Sequence, residues 1–166
     1  MAKSKPVVYA TLDGTTTGVS VTGTTDWNMG LVGGFKKSLR LMSATMSIPF
    51  TLARPPRGAA PYSIEFSIIP AATVTFGNII EYNSTTEVMT GKVIFADGEV
   101  SVSSKVPLGS LTHIVLAYGN GSLSLWCNGV ESAVEVPRSL SDSGFVDQGT
   151  TLSISGDSCL QGVVTY

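Results

Sequence analysis

A chain of 166 residues has the length of one domain with a sizeable core. Only 13% of its residues are charged and the net charge is −2, which excludes the dense basic surface that nucleic-acid binding needs; no apolar run reaches transmembrane length. Ser, Thr and Gly make up 57 of the 166 residues and Val another 18, the composition of short strands joined by small turn residues.

In chain order, Pro6–Leu12 reads as a first strand closed by Asp13-Gly14. Thr15–Thr25, rich in Thr and Gly, suits a loop or a weak edge strand. Asp26–Gly34, with Trp27 and clustered glycines, reads as loop. Met46, Ile48, Phe50 and Leu52 alternate strictly and predict a strand. Ala53–Pro61 carries three prolines, each without the N–H that a central strand must donate. Tyr62, Ile64, Phe66 and Ile68 alternate next. Thr73–Tyr82 and Lys92–Ala96 follow as strands, and Asp97-Gly98 turns the chain into Val100, Val102 and Val106. Val130–Val136 predicts a further strand, and Arg138–Gly149 a long loop or short helix. Helical periodicity and internal repeats are absent, so the reading is one all-β domain.

The strongest local signal is Leu111–Val130. Two apolar strands meet at Asn120-Gly121, and a second turn closes at Asn128-Gly129; Asn-Gly supplies the positive φ that a type I′ turn needs at both central residues. With that turn fixed, Tyr118 faces Leu123, Leu116 faces Leu125 and Ile114 faces Cys127, an apolar face for the core. The other face pairs Ala117 with Ser124, Val115 with Trp126 and His113 with Asn128. A slip of one residue would scramble both faces, so the pattern specifies the register.

This hairpin, Tyr118 followed by a Gly-Asn-Gly turn, Leu-Ser-Leu-Trp and Asn128-Gly129-Val130, resembles the signature hairpin of laminin G-like, concanavalin A-like domains. Leu39–Phe50 resembles that family's early strand pair, Tyr62–Pro70 its strand ending in Pro, and Leu152–Tyr166 its closing strands. Leu111-Thr112-His113 departs from the pattern in lacking the aromatic residue before the His. The resemblance implies an antiparallel two-sheet jelly-roll sandwich over 35–166, with 1–34 as an N-terminal arm or extra strand of the same domain. It spans lectins, adhesion modules, glycanases and viral surface proteins, so function must be argued from the site.

Catalysis finds no support in the residues. Glycanases of this fold class carry paired acid and nucleophile carboxylates. Here Glu81 and Glu87 are separated by a turn-like segment, Glu131 and Glu135 are about 13 Å apart by strand rise, and Glu65 stands alone. His113 is the only histidine, Gly-x-Ser-x-Gly is absent, and no phosphate-loop or dinucleotide motif occurs. Asp97, Asp142, Asp147 and Asp157 fall in predicted loops without Ca²⁺-ligand spacing, so no cofactor is expected. Cys127 and Cys159 fit reduced thiols; a disulfide between them is the sharper alternative, and with a lone His they cannot complete a zinc site.

What remains is binding or building. Residues 1–58 carry a net +5 and residues 59–166 a net −7, which suggests oriented attachment or head-to-tail contact between copies. No secretory signal is visible. We therefore expect a non-enzymatic virion surface component, a phage head-decoration, tail or fibre protein made in the host cytoplasm. It would sit in several copies among capsid or tail proteins, with no nucleic-acid or membrane partner. Lys3, Lys5, Lys36, Lys37 and Arg40 are the candidate attachment residues. The alternative is a lectin-type module, for which Trp27, Trp126, His113 and Asn128 are the candidate glycan or partner contacts.

Overall fold

The computed structural model describes residues 8–10, 12, 14, 19–29, 37–49, 61–146 and 151–165. Thirteen strands and one helical turn follow in order: β1 (Val8–Ala10), β2 (Ser20–Met29), β3 (Lys37–Pro49), β4 (Tyr62–Pro70), β5 (Val74–Phe76), β6 (Ile80–Asn83), β7 (Val88–Phe95), β8 (Gly98–Lys105), β9 (Thr112–Gly119), β10 (Ser122–Cys127), β11 (Val130–Glu135), α1 (Arg138–Ser141), β12 (Thr151–Ser155) and β13 (Ser158–Thr165).

Every ladder is antiparallel. The order runs β11-β10-β9-β4-β13-β3-β12-β5-β6-β7-β8, with β2 on β3 and β1 on β13. The strip folds back on itself, so that β10 lies against β7 and β8, and β11 against β8. The result is a nearly closed sandwich. The front sheet is β11-β10-β9-β4-β13 and the back sheet β12-β5-β6-β7-β8.

Strand β3 is the corner between them. It pairs with β13 through Leu39–Leu41 and with β12 through Thr45–Pro49. Between the two, Ser43 takes φ 53° and the register with β2 shifts between Thr22 and Thr24. Such a bulge bends a strand and increases its twist, which is what moving from one sheet to the other requires. A side chain of Asp157 holds the corner, its Oδ1 accepting the Ser43 N–H at 2.9 Å.

Period-two patterning builds the core. Alternate residues of β4, β6, β7, β9 and β10 point inward and are buried, among them Ile64, Phe66, Tyr82, Met89, Val93, Ile114, Leu116, Leu123 and Leu125. Phe66 of the front sheet stacks on Phe76 of the back sheet, with ring centroids 4.3 Å apart. At one end of the sandwich Tyr62, Phe95, Tyr118 and Phe145 form an aromatic cluster, with centroids 5.4–6.1 Å apart.

The hairpin is as read from the sequence. Leu123 pairs with Tyr118, Leu125 with Leu116 and Cys127 with Ile114, and Asn120 and Gly121 take φ of 52° and 73°. Several other expectations are corrected. Asp26–Met29 is not loop but the end of β2, because β3 supplies a ladder from Ser20↔Ser47 to Met29↔Lys37. Leu39–Phe50 is no strand pair; its described part is one strand bent at the bulge. Thr73–Tyr82 splits into β5 and β6 at a turn where Gly77 takes φ 52°. Strand β7 begins at Val88 rather than Lys92, since β8 pairs with its whole length. Arg138–Ser141 is the short helix of the two options. Cys127 and Cys159 form no disulfide, in keeping with the reduced reading and against its alternative. Phe50 and Leu52 lie outside the described residues.

Candidate functional site

Both sheets present an outer face, and the two differ in chemistry. The front face carries three of the predicted contact residues: Trp126 on β10, His113 on β9 and Asn128 in the β10–β11 turn. Asn128, at φ 51°, accepts the His113 N–H on Oδ1 at 2.8 Å and donates its own N–H to the His113 carbonyl at 2.9 Å. Its side-chain oxygen is therefore committed to closing the turn. Trp126 stands opposite Val115 on one side and Glu131 on the other, half-buried.

Glu65 is not alone. Strand β4 sets it beside β9, and its Oε1 lies 3.0 Å from His113 Nε2, both side chains a little over two-fifths exposed. Forty-eight residues separate the two, so only strand order brings them together. No hydroxyl or thiol among the described residues is hydrogen-bonded to His113, so the pair lacks the nucleophile–base contact of acyl transfer.

Trp27 lies elsewhere. Its place in β2, opposite the fully buried Leu39, turns it toward the interior, where it packs against the core. Of the basic candidates, Lys37 and Arg40 are exposed on β3; Arg40 is in register with Asp26 of β2 and Cys159 of β13. Lys3, Lys5 and Lys36 lie outside the described residues, as does Asp147.

The back face holds what the sequence reading missed, an open depression of about 390 Å³ lined by Thr75, Gly77, Asn78, Ile80, Glu81, Lys92, Ile94 and Glu99. That volume is in the range of small-molecule sites. The ladder explains its chemistry. Outward positions of neighbouring strands align into one row: Thr22, Thr45, Ser155, Thr75, Glu81, Thr90 and Ser103. Hydroxyls bond along the row, Thr75 with Ser155 at 2.9 Å and Thr90 with Ser103 at 2.8 Å. Lys92 Nζ is 3.8 Å from Glu99 Oε1, a loose and exposed ion pair.

Glu81 and Glu87 do not act together. The Glu87 carboxylate accepts the Leu108 N–H at 3.0 Å and holds a loop, whereas Glu81 faces the depression. Glu81 and Glu99 are two strands apart and four residues out of register, about 16 Å between Cα atoms by strand spacing and rise. By contrast, the cleft at the aromatic end, lined by Tyr62, Ile79, Val93 and Phe145, has only about 10 Å³ of free space, too little for more than one water. Burial, and then the neighbouring Tyr118, push the Tyr62 phenol well above its ordinary value. Among the described residues no cluster of three or more His, Cys, Asp or Glu is placed to hold a metal ion.

No protein-family model matches the sequence, and no curated protein matches it. Solved structures match the fold. The binding domain of Paraclostridial Mosquitocidal Protein 1 is similar at TM-score 0.66 and 12% identity; the match covers 92% of this chain and 44% of that one, so the chain spans less than half of that binding domain. Domain 4 of AbnA, a GH43 extracellular arabinanase from Geobacillus stearothermophilus solved with arabinotriose, is similar at TM-score 0.63 and 16% identity, covering 98% and 92%. The CBM2 module of the evolved Dit of Lactobacillus casei BL23 phage J-1 is similar at TM-score 0.58 and 11% identity, covering 96% and 94%. At these identities the likeness is one of fold.

Proposed function

We propose that this chain is a non-catalytic carbohydrate-binding module displayed on a virion surface, with the sugar lying across the back-sheet depression. The depression is the observation that carries the reading. It sets carboxylate acceptors (Glu81, Glu99), an ammonium donor (Lys92), an amide (Asn78) and a hydroxyl (Thr75) around one open space. A polyol offers both donors and acceptors on adjacent carbons and is matched by such a mixture. No hydrogen bond or ion pair engages the Glu81 carboxylate among the described residues, which leaves it available to a ligand.

Absence of catalysis is supported by spacing. Retaining glycosidases hold their carboxyl groups about 5 Å apart and inverting ones about 6.5–9.5 Å, and Lys92 stands between Glu81 and Glu99. The fold likeness to the arabinanase domain solved with arabinotriose and to the phage Dit module agrees with the carbohydrate and virion parts of the reading. Attachment falls to residues 1–34 with Lys36, Lys37 and Arg40 beside them, all within the first 58 residues, whose net charge is +5.

A broad glycan array tests the proposal. Binding of a defined oligosaccharide that drops more than about tenfold in Glu81→Ala and Lys92→Ala, as expected for loss of charge-assisted hydrogen bonds, supports it. No binding above background across the array overturns it.

A further inference from the structure

The outer face of the front sheet has a charge composition unlike the rest of the chain. Strands β4, β9, β10 and β11 carry Glu65, Glu131 and Glu135 and no lysine or arginine. All three glutamates point outward by register, Glu131 opposite Trp126 and Glu135 opposite Ser122. Trp126 sits between Glu131 and Val115, with Glu65 on the next strand beyond Val115. Glu65 already meets His113 Nε2 at 3.0 Å and Glu131 accepts the Ser124 hydroxyl at 2.8 Å, each through Oε1, and an aromatic ring beside such carboxylates still suits a cation, through cation–π attraction and their remaining acceptor positions.

We infer that this face docks the basic first third of a second copy of the chain. That segment carries the complementary charge, a net +5 over residues 1–58 against −7 over the remainder. Trp126 would be the anchor, since tryptophan and arginine dominate protein interfaces. The contact joins two different patches, the Trp126 face of one copy and the basic segment of the other, of which Arg40 stands on β3 in register with Cys159 and Ile69, at the far edge of the same outer face. Four strands of six to nine residues present roughly 450 Å² of face, below the area of a stable isolated interface. Each contact is therefore weak and salt-sensitive, and becomes effective when many copies stand side by side. This inference rests on the attachment part of the proposed function and not on the carbohydrate part.

Sedimentation velocity of the full chain at rising concentration, in low and high salt, reads it. We expect concentration-dependent association that high salt abolishes. Trp126→Ser and the triple variant E65Q/E131Q/E135Q should each weaken it more than about tenfold. The decisive arm is a charge exchange. K36E/K37E/R40E and E65K/E131K/E135K should each fail to self-associate, and an equimolar mixture of the two should associate again. Circular dichroism and retained glycan binding show that each variant is folded and separate this inference from the carbohydrate reading. Three outcomes overturn it: a monomer under every condition, association that is indifferent to salt or to the Glu→Gln changes, or a face that binds lysine-rich peptides or amino-sugar oligomers while the chain itself stays monomeric.

Discussion

Gly91 lies in the middle of β7, directly beneath the depression, and is buried with no side chain of its own. A Cβ built on it would overlap Leu116 Cδ1 from β9 in the facing sheet. Leu116 is fully buried, so it has no open space to retreat into. Gly91→Ala is thus an overpacking change, costing about 1–3 kcal/mol. The preference of a strand interior for Ala over Gly returns about 0.5–1 kcal/mol of that. The net loss of about 0–2.5 kcal/mol lowers the melting temperature by up to about 10 °C for a chain of this size. Leu116→Ala alone opens a cavity and costs about 2–5 kcal/mol. In the double variant the new methyl group occupies part of that cavity, so the combined loss falls short of the sum by about 0.5–3 kcal/mol. Urea unfolding of the four proteins measures the cycle. Lys92 follows Gly91 in the strand, so the single variant also displaces an ammonium that lines the depression and should weaken sugar binding. Strict additivity across the cycle would refute the close approach of the two sheets at this point.

Three further predictions follow from the fold and its thiols and phenols. Burial raises the phenol pKa of Tyr62, Tyr82 and Tyr118, with Tyr118 adding to the effect at Tyr62 and Glu87 at Tyr82. A raised folded pKa contributes stability that is whole below the unfolded value near 10 and is lost as pH climbs past it. The unfolding free energy should therefore hold up to about pH 10 and then fall by about 1.4 kcal/mol per pH unit for each such tyrosine, as denaturant titrations across that range will read. Burial likewise pushes the Cys127 thiol up, against a smaller opposing effect of Ser104, while Cys159 is only half-buried. Mass spectrometry after brief alkylation of the native protein should find Cys159 modified well before Cys127, and equal rates would contradict the placement of Cys127. Deleting residues 2–14 should lower incorporation of the chain into particles several-fold, and unchanged incorporation would remove the attachment role.

The hairpin was legible because its information is local. Asn120-Gly121 dictates the turn, the turn dictates the register, and alternation then assigns Ile114, Leu116, Leu123 and Leu125 to the core. Strand β4 was legible for the same reason. Strand β2 was not, because in Ser20–Met29 the strand preference of Val21, Thr22, Thr24, Thr25 and Trp27 is offset by Gly23, Asp26 and Asn28, which favour turns. What settles it is the ladder with β3, running from Met29↔Lys37 to Ser20↔Ser47.

Composition and local pattern thus determined, by themselves, an antiparallel β domain of low charge and the faces of its central hairpin. Tertiary structure alone decided which strands are neighbours. That choice packed a half-buried Trp27 against the core, joined Glu65 to His113 across 48 positions, and gathered Thr75, Glu81, Lys92 and Glu99 into one depression. The physical reason is that a strand's alternation states which side chains point outward, whereas the company they keep depends on strand order, and strand order is set by burying both sheets against each other rather than by any local signal.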